Sequence, residues 1–188
     1  MENVRQYFEK FVDLNDYLWS LFTDKIEYVE YEKGETILKQ GEVENYVYIL
    51  ESGAVRLFIP QEDNDITFGF AFQGHFFSAY DSFIFRSPCA YQIETLTEVK
   101  LQRMSYENLN NLFDNISEGN SIGRKMAETF FVGKQKRELS LLTKTAEERY
   151  YSLFKNQPQL IQEIPLKYIA SYIGITPQGL SRIRARIN

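Results

Sequence analysis

One cysteine and one histidine are the only thiol and imidazole in this sequence of 188 residues. Cys89 alone cannot close an intrachain disulfide or hold a multi-thiolate metal or iron–sulfur cluster. His75 alone cannot supply the several imidazoles that a metal-dependent enzyme on a β-rich scaffold needs. No nucleophile sits in an evident pairing with a base, so the expectation is a protein that is not an enzyme and carries no metal and no cofactor. Long apolar runs are missing too: none approaches the roughly 18 residues of a membrane span. The start, "MENVRQYFEK", is polar and acidic rather than leader-like. A soluble cytoplasmic chain with no membrane partner is expected.

The next absence is local. From Ile164 to Asn188 there is no Asp or Glu, while Lys167, Arg182, Arg184 and Arg186 are present, in a chain of formal net charge -5. A basic end on an acidic body can seek phosphate locally while the body's field discourages indiscriminate binding to polyanions. A solvated terminal helix is the plainer alternative on charge alone.

What is present falls into three segments. Residues 2–22 place Val4, Phe8, Phe11, Leu14, Leu18 and Leu21 at helical spacing. From 26 to 59, and again over "ITFGFAF" (66–72) and 91–104, short alternating runs are punctuated by Gly34, Gly41 and Gly53. That pattern predicts a β-roll or barrel ending near Met104, with "PQEDND" as a hairpin loop. Phe68, Phe70, Phe72, Phe76 and Phe77 are expected to fill its core rather than line a ligand pocket. Residues 117–142 lack proline and carry Ile122, Met126, Phe130, Leu139 and Leu142 at mostly helical spacing, which predicts one long helix. Gly119, Gly123 and Gly133 each weaken it by roughly 1 kcal/mol relative to alanine. They would permit close approach of a second helix, either in a dimer or within the chain. "TAEE" (145–148) fits a capping box that starts a new helix, with a hinge at Thr143–Thr145.

In "IPLKYIASYIGITPQGLSRIRARI" the residues Ile169, Ala170, Ile173, Gly174, Ile175, Leu180 and Ile183 have helix-turn-helix spacing. A small Ala170 lets two helices cross, Gly174 can take the positive φ of the turn, Thr176 caps and Pro177 opens the second helix. Leu180, Ile183 and Ile187 then face inward, leaving Gln178, Ser181, Arg182 and Ala185 outward with Arg184 and Arg186 flanking. Gln pairs with adenine and Arg with guanine in a major groove, while flanking arginines hold phosphate. The candidate DNA-contacting residues are therefore Lys167, Thr176, Gln178, Ser181, Arg182, Arg184 and Arg186. A hairpin that merely packs or dimerises would share the aliphatic spacing but has no use for an acid-free, arginine-bearing face.

Taken over nearly its whole length, with "YEKGETILKQGEVENYVYILESGAVRLFI", "TAEERYYSLF" and "LKYIASYIGITPQGLSRIR", the chain resembles the Crp/Fnr family of bacterial transcription regulators, in the short form found in Bacteroidetes. The resemblance implies an α+β architecture: a cyclic-nucleotide-binding β-roll with flanking helices over 1–116, a dimerisation helix over 117–142, and an all-α helix-turn-helix domain over 143–188. It also implies a homodimer on palindromic promoter DNA, with helix 176–187 reading the major groove, RNA polymerase as a further partner and a small-molecule effector of unknown identity. The β-hairpin wing of longer members is not expected here. In cyclic-AMP-responsive members a Gly-Glu pair and an Arg-Ser pair hold the nucleotide. By position Ser78 and Ala79 stand for the first pair, and Cys89 and Ala90 for the second, so both charged anchors are replaced. Arg86 lies three residues early and could substitute only if the loop before Pro88 were rearranged; a solvated loop arginine is the plainer reading. Asp81 adds an acid. The expectation is a degenerate pocket that does not take cyclic AMP. Cys89 could sense oxidants only if a nearby cation lowered its pKa, and lone cysteines are ordinarily inert. The alternative to a DNA-binding regulator is a ligand-sensing or protein-interaction module, which leaves the terminal arginines unexplained.

Overall fold

The computed structural model describes residues 5, 7, 9, 15–116, 118–156 and 164–187, residues 18 and 187 by backbone alone. Their elements are α1 (Asp16–Thr23), β1 (Glu27–Tyr31), β2 (Thr36–Leu38), β3 (Tyr46–Ser52), β4 (Ala54–Ile59), β5 (Ile66–Phe72), β6 (Phe76–Phe77), α2 (Tyr80–Phe85), β7 (Gln92–Thr95) and β8 (Val99–Ser105). The helices α3 (Tyr106–Asn115), α4 (Gly119–Thr143), α5 (Ala146–Asn156), α6 (Leu166–Ile173) and α7 (Pro177–Ile187) follow. This is the expected α+β class. No helix among the described residues is long and apolar enough to cross a membrane.

The strands form two four-stranded sheets, ordered β1-β8-β3-β6 and β2-β7-β4-β5. Alternation drives this: Leu50, Val55, Ile93 and Leu101 point inward and are essentially inaccessible to water, as the pleat requires when one face is buried. Register is pinned by cross-strand charge. Glu27 lies opposite Arg103 on β1 and β8, and their side chains pair at 2.8 Å; Lys100 and Glu30, three residue pairs along, pair at 2.9 Å. Gly53 turns β3 into β4 with φ +90, and a Cβ there would stand 2.3 Å from the Glu98 carbonyl, so no other residue fits. The hairpin loop between Ile59 and Ile66 stands where its turn chemistry predicts.

Two expectations change. The five phenylalanines do not share one environment: Phe72, Phe76 and Phe77 are buried, but Phe68 and Phe70 are only half-buried. Most of the apolar positions of the first helix, Val4, Phe8, Phe11, Leu14 and the Leu18 side chain, lie outside the described residues; in α1 it is Phe22 that is buried, with Leu21 half-exposed.

The chain divides into two compact units: residues 1–57 with 70–129, and residues 58–69 with 130–188. In the first, α4 begins by packing on α3. A Cβ at Gly119 would meet the Phe113 backbone at 2.4 Å, and one at Gly123 would meet the Phe113 ring at 3.2 Å, so these two glycines serve an intrachain contact. Gly133 has nothing within 4 Å. In the second unit the capping box forms: the Thr145 amide donates to Glu148 Oε2 at 2.7 Å and the Glu148 amide to Thr145 Oγ1 at 3.2 Å. The Thr145 amide first, then the Thr145 hydroxyl, which donates to Glu148 Oε2 at 2.9 Å, hold the Glu148 carboxyl below its ordinary value.

Candidate nucleic-acid interface and ligand cassette

Helices α6 and α7 are joined by the short turn Gly174–Thr176. Ile169, Ala170, Ile173 and Leu180 are 0–1% exposed, which is what allows α6 and α7 to meet closely at Ala170. Gly174 ends α6 in the left-handed conformation, φ +77, and its amide donates back to Ser171 O at 3.0 Å. Thr176 Oγ1 then accepts from the Gly179 amide at 3.1 Å, capping α7, whose first residue is Pro177. Gly174, Thr176 and Pro177 take the roles their spacing predicts, while Ile175 is half-buried and the Ile187 side chain lies outside the described residues.

The outward set is as the sequence orders it. Gln178, Ser181, Arg182, Ala185 and Arg186 are exposed, whereas Arg184 is half-buried. None of the three arginines pairs with a carboxylate among the described residues. Two candidates are already committed elsewhere: the Thr176 hydroxyl oxygen to its cap, and Ser181, whose hydroxyl donates to Pro177 O at 3.0 Å. Lys167 is exposed on α6, its ammonium 4.9 Å from the Tyr168 ring centre. Ser171, on the same helix, fastens the β4–β5 loop: its hydroxyl donates to Asp65 O at 2.7 Å and accepts from the Thr67 amide at 2.9 Å.

The cassette region surrounds α2. Ser78 is buried and its hydroxyl donates to Tyr46 O at 2.9 Å; Ala79, fully buried, precedes the helix. Ala90 is exposed, and its carbonyl accepts from Gln40 Nε2 at 3.0 Å. Cys89 is buried, with its backbone tied to Glu42 O at 2.7 Å and Gly41 N at 2.8 Å. Burial pushes its thiol up, and the Asp81 and Glu44 charges add to that against one bond from the Tyr91 amide. A reactive, low-pKa thiol needs the reverse, so the oxidant-sensing reading of Cys89 fails on its surroundings.

Arg86 corrects the sequence reading. It is the one non-glycine residue at positive φ (52) among the described residues, ending α2. It is exposed but not loose: Nη1 donates to Glu44 O at 2.5 Å, Nη2 to Asn45 Oδ1, and the guanidinium lies 4.5 Å from the Tyr106 ring centre. Its donors hold the β2–β3 connection.

Sequence reasoning missed Glu44. It is 1% exposed, and its carboxylate sits against the cassette itself. Oε1 accepts from the Tyr46 amide at 2.9 Å and the Tyr48 hydroxyl at 3.0 Å, and Oε2 from the Ala79 amide at 3.5 Å. Its own amide donates to Ser82 Oγ at 3.0 Å. Burial raises the Glu44 carboxyl and those donors only partly offset it. Asp81, the acid expected to matter, is exposed and accepts from the Tyr91 hydroxyl at 2.8 Å. The only signal for Glu44 was an acid in "GEVENYVYI" just before a strand, and nothing in that string says which of its two glutamates turns inward.

Residues 28–115 match the cyclic nucleotide-binding domain. The fold is similar over most of the chain to FixK2 from Bradyrhizobium japonicum, at 19% identity and TM-score 0.75, covering 86% of this chain and 84% of that one. It is similar to a protein of Eubacterium rectale assigned to the Crp/Fnr family of transcriptional regulators, at 19% identity and TM-score 0.72, covering 97% and 87%. The catabolite activator protein of Thermus thermophilus shares 18% identity at TM-score 0.59, covering 94% and 85%. At these identities the likeness is one of fold. No curated protein matches the sequence.

Proposed function

We propose that this chain is a DNA-binding transcriptional regulator of the Crp/Fnr type, acting in the cytoplasm as a homodimer with α7 as its recognition helix. The observation that carries the proposal is the α6–α7 pair. It is rigidly packed and correctly capped, and it presents exposed Gln178, Arg182 and Arg186 in a stretch with no acid from Ile164 to Asn188. A helix so faced suits a major groove: Arg182 reads a base edge, while Arg184, Arg186 and Lys167 neutralise phosphate.

The dimer rests on α4. Phe131, Val132, Leu139 and Leu142 are 68%, 43%, 51% and 74% exposed, more apolar surface than a solvated helix would carry. A symmetric pair would set two recognition helices one DNA turn, roughly 34 Å, apart on a palindrome, with RNA polymerase as the downstream partner. The cassette is closed to cyclic AMP, because a buried Glu44 carboxylate takes the Ala79 amide and Arg86 is spent on Glu44 O. Any effector held by the cassette is therefore less anionic than a nucleotide, or absent.

The test is duplex binding by fluorescence anisotropy across salt. A dimer neutralising about six phosphates gives a log–log slope of about −5. A steep slope together with a dimer by light scattering supports the proposal. No binding to any duplex at low salt would reduce the chain to a ligand-sensing or interaction module.

A further inference from the structure

Arg137 on α4 and Arg149 on α5 stand together in the second unit with no carboxylate paired to either among the described residues. Backbone carbonyls hold both in place. Arg137 Nη2 donates to Tyr172 O, and its guanidinium lies 3.8 Å from the Tyr172 ring centre; its Nε–H is buried with no partner. Arg149 donates from Nε to Ile173 O at 2.8 Å and from Nη1 to Lys144 O at 2.5 Å. The carbonyl ends of α4 and α6 offset part of this charge, but two guanidinium groups line the same groove, near enough for the Arg149 charge to act on Arg137. Burial holds Arg137 below its usual value, with Tyr172 pulling the other way and the Arg149 charge adding to the lowering.

The space they border is a groove of about 460 Å³ between the last turns of α4, α5 and the end of α6. That volume falls within the range of small-molecule sites. Lys136 and Lys144 stand exposed at its rim, Ser140 and Thr143 add hydroxyls, and no acid lines it.

We propose that this groove binds a small polyanion carrying several phosphate groups. Guanidinium forks match phosphate oxygens two at a time, and the two lysines add charge around them, Lys144 sharing its field with the exposed Glu148. Four cations exceed what one carboxylate can neutralise, and a single orthophosphate would leave most of the groove empty. The same chemistry could be supplied by a DNA phosphodiester, so the test separates the two sources. The inference stands whether or not the chain regulates transcription.

Inorganic triphosphate is titrated calorimetrically into the full-length protein at low salt, beside a duplex-binding series. Saturable binding of one triphosphate per chain is expected. Lys136→Gln with Lys144→Gln, at exposed positions that do not disturb packing, should weaken it at least tenfold. Arg137→Lys, which keeps the charge and loses the fork, should weaken it as well. No saturable binding at millimolar triphosphate overturns the proposal. So does binding that survives the lysine substitutions, which puts the anion elsewhere. Lysine variants that lose duplex affinity while triphosphate never binds would make the groove a DNA-backbone contact, which also overturns it.

Discussion

The cassette around α2 and the α6–α7 pair treat charge in opposite ways. In the cassette the buried charge is an acid. Glu44 lies in the interior on three donors, while the nearest arginine, Arg86, is turned onto a backbone carbonyl. In the helical pair the buried side chains are aliphatic or alanine, and the charges are Lys167, Arg182 and Arg186, exposed, and Arg184, half-buried, with no carboxylate paired to the arginines among the described residues. The fold therefore does not by itself confer an anion site. What confers one is which charges are desolvated by their own structure and which are left unspent.

The largest effect expected on this comparison comes from the scaffold of the basic face. Ile169→Ala, at a fully buried position between α6 and α7, should destabilise the second unit by about 2–5 kcal/mol and abolish duplex binding without altering the roll. Urea unfolding followed by tyrosine fluorescence measures it. An unchanged midpoint would mean that the helices are not packed through this residue. Next comes the face itself. Arg182→Ala should cost about 1–3 kcal/mol on a selected operator and relax preference at one base pair per half-site, whereas Arg186→Ala should weaken all duplexes alike. Equal losses for both variants on operator and random DNA would remove the base-reading role from Arg182.

A smaller effect isolates the turn between the helices. Gly174→Ala places a Cβ 3.7 Å from Leu141 Cδ2 and 3.8 Å from Arg149 Nη2, ordinary contact distances, so sterics contribute little. The cost is conformational, about 1–2 kcal/mol for holding an L-residue at φ +77. A drop in thermal midpoint with operator preference intact is expected. A change of preference would show that the turn sets the angle of α7 rather than only its stability.

The two regions also differ in how far the sequence disclosed them. The helical pair was legible nearly to the residue, because its determinants are local: Gly174 for φ, Thr176 for the cap, Pro177 for the first turn, and aliphatics three and four apart. The β-roll was legible as a class, since alternation and glycine turns identify strands, while Leu96–Glu98, which breaks 91–104 into β7 and β8, left no comparable mark. The cassette was legible only in what it lacked. Glu44 and Arg86 are 42 residues apart in the chain and meet through a backbone carbonyl, and no periodicity reports a contact of that kind. The Phe113 ring that fills the space beside Gly123 was equally hidden, so a glycine spacing that suggested a dimer contact is in part an intrachain one.

The subtlest prediction tests whether the cassette's acid is a cost that the fold tolerates. Glu44 is raised chiefly by burial, with bonds from Tyr46, Tyr48 and Ala79 pulling the other way. A carboxyl whose folded-state value lies above its unfolded value retains its proton longer in the native state. Its stabilising contribution is full below the ordinary carboxylate range and is lost as pH rises through the raised value. Measured against Glu44→Gln, which cannot titrate, the native protein should therefore lose relative stability as pH climbs from the ordinary carboxylate range, then level off. The variant keeps an oxygen for Tyr46 and Tyr48 and gives up only the long bond to Ala79, so the difference should be small beside the scaffold and base-reading effects. Urea midpoints across that pH span read it directly, with calorimetry of cyclic AMP and cyclic GMP in parallel. A gap that widened in favour of the native protein with rising pH would mean that the ionised carboxylate has a cationic partner. Micromolar binding of either nucleotide to the native protein would mean that Glu44 yields the Ala79 amide to a phosphate after all.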